Sequence, residues 1–329
     1  MKQDAAAPVQ TWDLSPDTTL IRLLAGNARL KPLGVAMREK DFGIWQERNW
    51  ARVLDEVLAF AAGLEKRGFR AGDAMLVLGD NKARLYMGIL AASALKGYPM
   101  PVYPDATPEE IEHFAHEVKA RFALAEDQEQ VDKVLDLRER APTIEHVVFD
   151  DPRGLSHYRV AGLVSRDTVE AEGAARLRDE RPLREDLIGR AAPGDPAIFV
   201  HSSGTTGKPK GVVLSHRNVL AGVRNGFQGG VFGWQEEVLA YLPMAWIGDF
   251  ALTIAAGVAL RFTINIPERQ ETVLRNLREI APTFYLAAPR SWDNLLTAIQ
   301  VRMEDSPPLK RRTFEKPRED VGKIVLKFT

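Results

Sequence analysis

Residues 201–211 read HSSGTTGKPKG, with two Ser, two Thr, three Gly and two Lys in one short stretch. That mixture suits a phosphate. An anion of this kind needs backbone N–H groups that crowd inward, hydroxyls that complete the hydrogen bonds and a cation that offsets the charge. Gly204, Gly207 and Gly211 permit close backbone approach; Ser202, Ser203, Thr205 and Thr206 supply hydroxyls; Lys208 and Lys210 supply charge, and Pro209 stiffens the exit. The competing reading is a polar linker between two strands. Against it stand the apolar runs PAIFV and VVLS on either side, which hold the loop at both ends, and the order of its residues. A Walker-type loop requires Gly, four residues, then Gly-Lys-Ser/Thr. Here only Thr205 and Thr206 separate Gly204 from Gly207, and Pro209 follows Lys208. An unrelated P-loop NTPase is therefore set aside.

The rest of the chain must position this loop. Trp50, Val53, Leu54, Val57, Leu58, Ala61 and Leu64 recur at helical spacing, with Gly68 as a stop. A short strand (AMLVLG), a helix (NKARLYMGILAASALKG) and an extended piece (YPMPVYP) follow. Thr107 is an expected N-cap, with acidic residues in the first turn after it. The strand RFALAE, the helix DQEQVDKVLDL and the strand HVVFD continue the alternation. Residues 152–194, rich in Arg, Asp and Glu without sustained periodicity, read as surface connections. From Pro196 the pattern resumes as strand, loop, strand and a helix from His216. VLAYLP, a helix near 248–257, RFTINI, the helix PERQETVLRNLREIA, FYLAA and a helix from Arg290 complete it. Strands separated by helices predict an α/β fold of layered, largely parallel sheets flanked by helices. The expected organisation is a first α/β subdomain over 18–151, a connecting segment over 152–194, a second subdomain with the phosphate loop over 195–315, and a tail over 316–329.

Composition removes several classes of function. The chain of 329 residues is 45% hydrophobic and 27% charged, with a net charge of −1, which gives no global attraction to nucleic acid. There is no Cys, hence no disulfide, thiolate metal site or Cys nucleophile, and the composition fits a cytoplasmic protein. No apolar run approaches the roughly 20 residues of a membrane span, and the N-terminus has no signal-peptide pattern.

The stretch SSGTTGKPKG resembles the signature of the adenylate-forming acyl- and aryl-CoA synthetases. EKDFGIWQERNWARVLDEVLAFAAGL, GDNKARLYMGILAASALKGYPMPVYPDATPEEIEHF, AEDQEQVDKVLDL, LAYLPMAWIGDF and PTFYLAAPRSWDNL resemble the N-terminal half of bacterial long-chain fatty-acyl-CoA synthetases. The resemblance runs from about Thr18 to Glu315. It implies ATP, Mg²⁺ and CoA as cofactor and co-substrates and a fatty acid as substrate. The implied reaction has two steps: a carboxylate attacks the α-phosphate of ATP to give an acyl-adenylate and pyrophosphate, and the CoA thiol then displaces AMP. Charge accumulates on the phosphates in the first step, so donors and a cation placed there are what electrostatic stabilisation requires. By this resemblance Ser202, Ser203, Gly204, Thr205, Thr206 and Gly207 grip the ATP phosphates, with Lys210 assisting charge stabilisation. Trp246, in LPMAW, falls where the family places an aromatic or His beside the acyl pocket and its gate; an ordinary core aromatic is the other reading. His201 departs from the aromatic usual at its position, and Ser202 from the usual Thr.

Other candidates carry less. His113 and His116 sit three apart on an expected helix without a third ligand, so they read as solvated side chains rather than a metal pair. His216 reads as structural, and Lys310-Arg311-Arg312 as a solvated face. The Gly-Asp pair of GDF at 248–250 comes too early to be the family's ribose-binding Asp. The family's aromatic-Gly-x-Thr-Glu stretch, ribose Asp and C-terminal Lys are not found in the sequence. The expectation is a truncated, catalytically impaired ligase without its own metal site. A non-catalytic nucleotide- or acyl-binding module, or half of a split ligase completed by a second chain, is the alternative. A fatty substrate also makes a peripheral membrane contact an expectation.

Overall fold

The structure, a computed structural model, describes residues 15, 17–202, 210–287 and 289–308. Helix α1 (Leu20–Leu30) leads into a hairpin of β1 (Val35–Asp41) and β2 (Ile44–Asn49). Then follow α2 (Trp50–Lys66), β3 (Ala74–Leu78), α3 (Ala83–Ala94), β4 (Tyr98–Val102), α4 (Pro108–Val118), β5 (Phe122–Ala125), α5 (Gln128–Leu137), β6 (His146–Phe149), β7 (Leu163–Ser165), α6 (Arg166–Asp179) and α7 (Leu183–Gly189). The remainder comprises β8 (Pro196–Ser202), β9 (Lys210–Ser215), α8 (His216–Gln228), β10 (Glu237–Leu239), α9 (Ile247–Phe250), a π-helical segment (Ala251–Ala256), α10 (Gly257–Leu260), β11 (Thr263–Ile266), α11 (Val273–Ile280) and α12 (Pro289–Glu304).

Strands β4-β3-β5-β6-β7, in that order, form a wholly parallel sheet. Parallel strands covered on both faces are apolar throughout, and AMLVL of β3 is buried at every position. Its alternate residues serve different cores. Met75 and Val77 join Phe122 and Leu124 of β5 under α2 and α3. Leu76 and Leu78 join Ala123 and Ala125 under Ile111 and Phe114 of α4 and Val131 and Val134 of α5. The chain reverses direction between β3 and β5, a topological switch point whose crevice opens at the carboxyl ends of the strands. Asp80 and Asn81 leave β3 there and Glu126 leaves β5.

A second sheet, β10-β11-β1-β2, is parallel except for the β1–β2 hairpin. The hairpin of β8 and β9 is the third, with β8 lying beside β4. The α/β class and largely parallel sheets are as the periodicity predicts.

Three details differ from the sequence reading. Strand β1, expected in the first subdomain, pairs with β11, Met37 opposite Ile264. Strand β7 of the expected connecting segment completes the first sheet. Of FYLAA, the described residues 284–287 contribute a single bridge, Phe284 to Val238.

The segment 152–194 is likewise not just surface connection, since α6 packs along α2. A Cβ on Gly173 would lie 1.8 Å from the Ala59 carbonyl oxygen, and one on Gly63 would lie 2.0 Å from that of Val169. The two backbones therefore meet through glycine. Arg166 is fully buried, with its guanidinium 4.4 Å from the Phe60 ring centroid, bonded to Glu170 and to the Arg84 carbonyl. Beside the buried Val169, the contact turns on glycines and paired charges, which hydrophobic periodicity does not report.

Candidate active site

Residues 203–209, hence Ser203, Gly204, Thr205, Thr206 and Gly207 of the phosphate loop, lie outside the described residues. Its two ends are described. Ser202 closes β8, Lys210 opens β9, and the two are direct cross-strand partners. Ser202 Oγ donates to the Lys210 carbonyl at 3.3 Å. The hydroxyl-rich loop is thus tied off by an antiparallel stem. Both residues are exposed, and Lys210 has no ion-pair partner among the described residues, so its charge is free to meet an anion.

The stem is anchored from α4. Thr107 caps that helix in a reciprocal capping box with Glu110, as its sequence predicts. At its penultimate residue, Glu117 accepts a hydrogen bond from His201 Nε2 at 2.9 Å. The imidazole stacks on Phe114 with 3.9 Å between centroids and meets Phe199 edge-on at 5.4 Å. His201 keeps the flat ring that an aromatic would supply and adds a polar tie. Gly211 is required opposite it: a Cβ there would lie 2.3 Å from the Phe199 ring and 2.6 Å from Glu117 Oε1.

Behind the stem, Ser215 caps α8. His216 is fully buried and its Nδ1 accepts from the Leu20 N–H at 3.4 Å. Burial lowers its pKa to about 4, so it is neutral and structural. His116 is exposed and 3.9 Å from Glu112, while His113 packs near Phe114. The described residues contain no group of three or more His, Asp or Glu side chains placed to hold a metal. Lys310, Arg311 and Arg312 lie outside the described residues.

Trp246 is the N-cap of α9 and is 39% exposed. It lies at the surface beside the buried Met244 and Ala245. Its indole folds across Gly248, where a Cβ would meet the ring at 2.3 Å. Asp249, set aside as too early in the chain to be the ribose-binding Asp, is buried three residues on and bonded to Tyr86 at 2.8 Å. An acidic residue inside the apolar run WIGDFALTIAAGVAL was the available signal.

At the switch point, Lys82 Nζ lies between Glu39 and Glu126, at 3.9 and 3.7 Å. Glu126 Oε2 accepts from the Asp80 N–H at 2.6 Å. Burial pushes the pKa of Glu126 up to about 7. Gly79, at φ +145°, leaves room for this carboxylate, whose Oε2 would stand 2.7 Å from a Cβ.

Among the described residues, no helix is long and apolar enough to cross a membrane. The long-chain-fatty-acid–CoA ligase ACSBG1 of Rattus norvegicus is 24% identical over 294 residues, covering 86% of this chain and 39% of the relative. The Bos taurus protein of the same name is 26% identical over 275 residues, covering 80% and 37%. The chain thus spans about two fifths of the length of these curated relatives. Among solved structures, the long-chain-fatty-acid-CoA ligase FadD1 of Archaeoglobus fulgidus superposes with a TM-score of 0.70 at 19% identity, covering 93% of this chain and 57% of that one. VinN in complex with L-aspartate superposes at 0.68 and 20%, covering 89% and 68%. These two show the fold. The family model described as AMP-binding enzyme matches residues 26–323, and the chain belongs to that family of adenylate-forming enzymes, which includes the acyl-CoA ligases.

Proposed function

We propose that this chain serves ATP-dependent fatty-acid–CoA ligation, forming an acyl-adenylate and then an acyl-CoA thioester. The observation that carries the reading is the β8–β9 stem, which sets Ser202 opposite Lys210 and so brackets the loop of hydroxyls and glycines between them. Donors fixed at a site of developing charge lower the barrier without reorganising during the reaction. Ser202 and Lys210 contribute a hydroxyl and a cation to the ATP phosphates, together with Ser203, Gly204, Thr205, Thr206 and Gly207. Trp246 flanks the acyl group at the mouth of its pocket. When bound, Mg²⁺ neutralises phosphate charge, and residues of this chain that would hold it are not assigned. The names of the relatives support a long-chain fatty acid as the acyl substrate, and the absence of Cys supports a cytoplasmic setting.

Adenylation requires carboxylate, α-phosphate and cation to be positioned together, which supplies much of the acceleration. The phosphate loop by itself supplies one part of that arrangement, so the 329-residue polypeptide is expected to bind ATP and to exchange pyrophosphate slowly. Calorimetric titration with ATP tests the reading. Binding that weakens at least several-fold in Lys210→Ala, with an unchanged melting temperature, supports it. ATP affinity that is absent, or indifferent to Lys210, refutes it. Palmitate-dependent ATP–pyrophosphate exchange as fast as that of a full-length ligase would overturn the expected impairment alone.

A further inference from the structure

The site described so far makes no use of one buried polar cluster. Asp249 Oδ2 accepts from Tyr86 Oη at 2.8 Å, and Tyr86 Oη accepts from Asn81 Nδ2 at 2.6 Å. The same Asn81 amide donates to the Leu242 carbonyl at 2.8 Å. Thr253 Oγ1 donates to the Asp249 carbonyl at 2.7 Å. Asn81 lies in the turn between β3 and α3 and Tyr86 in α3, whereas Leu242 and Asp249 bracket Trp246. The enclosed turn is also closed on itself. The Trp246 N–H donates to Pro243 O at 2.9 Å, and the Asp249 N–H donates to Trp246 O at 3.0 Å.

A buried carboxyl is costly, and apolar residues of similar volume would fill this space at lower cost. Directional bonds do what apolar packing does not: they select one geometry among several of equal volume. All of them converge here on the two ends of a single turn. The partners of Asp249 are a phenol, a hydroxyl and an amide, and burial raises its pKa to about 7. The carboxyl thus retains its proton well above the usual carboxylate range.

We propose that Asn81, Tyr86 and Asp249 are positioning residues, a latch that holds the Pro243–Asp249 turn against the first sheet and sets the orientation of Trp246 at the acyl mouth. The part that concerns the acyl mouth rests on the ligase reading above; the latch itself does not.

The test uses the 329-residue chain labelled with 5-fluorotryptophan. Fluorine NMR reads its six Trp residues separately, and Trp246→Phe assigns the signal of interest. In the ligand-free protein, Tyr86→Phe removes one hydroxyl and is expected to shift or broaden the Trp246 resonance while the other five hold. Asp249→Leu does the same. Asp249→Asn keeps an acceptor for Tyr86 and is expected to restore the wild-type signal. If Asp249→Leu does not fold, Tyr86→Phe decides. A Trp246 resonance unmoved by Tyr86→Phe, or six resonances that move together, would overturn the latch. Palmitate titration forms a second arm, in which Tyr86→Phe is expected to weaken binding several-fold. Wild-type protein that binds no palmitate refutes the acyl-mouth reading and leaves the latch to the NMR result.

Discussion

The five-stranded sheet and the β8–β9 hairpin are made of similar β-formers but meet water differently. Every residue of β3 and β5 is buried, since helices cover both faces. Strand β9 instead exposes Val212 and Val213, and its stem ends in the exposed Ser202 and Lys210. The sheet is fixed by packing on two sides. In the hairpin, β8 is buried beside β4, whereas β9 and the open end are held at a few points, namely His201 on Glu117, the Phe199 ring over Gly211, and the cap at Ser215. The proposed phosphate-binding role suits that second arrangement, because groups that are to meet a ligand must stay in solvent until it arrives.

Substitutions that distinguish the regions sharpen this contrast. Phe122→Ala in β5 removes a fully buried ring packed edge-on to Phe69 at 5.0 Å and stacked on His146 at 4.6 Å. Urea denaturation is expected to show a loss of about 3–5 kcal/mol.

The pH dependence comes next. Glu126 and Asp249 hold their protons to about pH 7 in the fold, against about 4 in an unfolded chain. Between those limits the folded state binds more protons, so their contribution is complete below about pH 4 and is lost as pH rises to about 7. His216 acts in the opposite sense. Its pKa of about 4 in the fold means that the unfolded chain takes up the proton first, so stability falls as pH drops from about 6.5 towards 4. Glu126→Gln is expected to remove a pH-dependent difference of roughly 3 kcal/mol, read from denaturation midpoints at pH 4.5 and 7.5. An unchanged slope would mean that Glu126 titrates normally.

Gly211→Ala in the hairpin drives a methyl into Phe199 and Glu117. About 1–3 kcal/mol is expected, with a loss of ATP affinity if the stem positions the loop. Val213→Thr, on the exposed face of the same strand, should stay within about 0.5 kcal/mol. A cost there near that of Phe122→Ala would show that β9 is covered in solution, and gel filtration would then reveal self-association. Exposed apolar residues on a strand and on α12 (Trp292, Leu296 and Ile299) make such association the expected failure of a weakly covered surface.

Much of this contrast was legible in the residues. AMLVL and RFALAE announce buried parallel strands, and the strand–loop–strand run around Gly204 announces the stem. Three things were not legible, for physical reasons. The close approach of α2 and α6 depends on Gly63, Gly173 and the paired Arg166, none of which contributes to hydrophobic periodicity. The β1–β11 pairing is non-local, and no local pattern records which distant strand a hairpin will join. Asp249 was discounted by its place in the chain, whereas its significance lies in partners that only the fold brings to it.

The β1–β11 pairing also bears on the order of assembly during synthesis. The first sheet is wound from successive β–α–β crossovers between residues 74 and 165 and can close as soon as they emerge. The β1–β2 hairpin, made earlier, presents its outer edge to a partner 227 residues downstream, the separation between Arg38 and its bonded Asn265. On the ribosome, at roughly 5–20 residues per second, that edge waits for about ten seconds or longer while the finished sheet sits beside it. Strands β1 and β2 are thus completed only after the whole first sheet has emerged, and the growing polypeptide is open to misjoining and to chaperone capture in that interval.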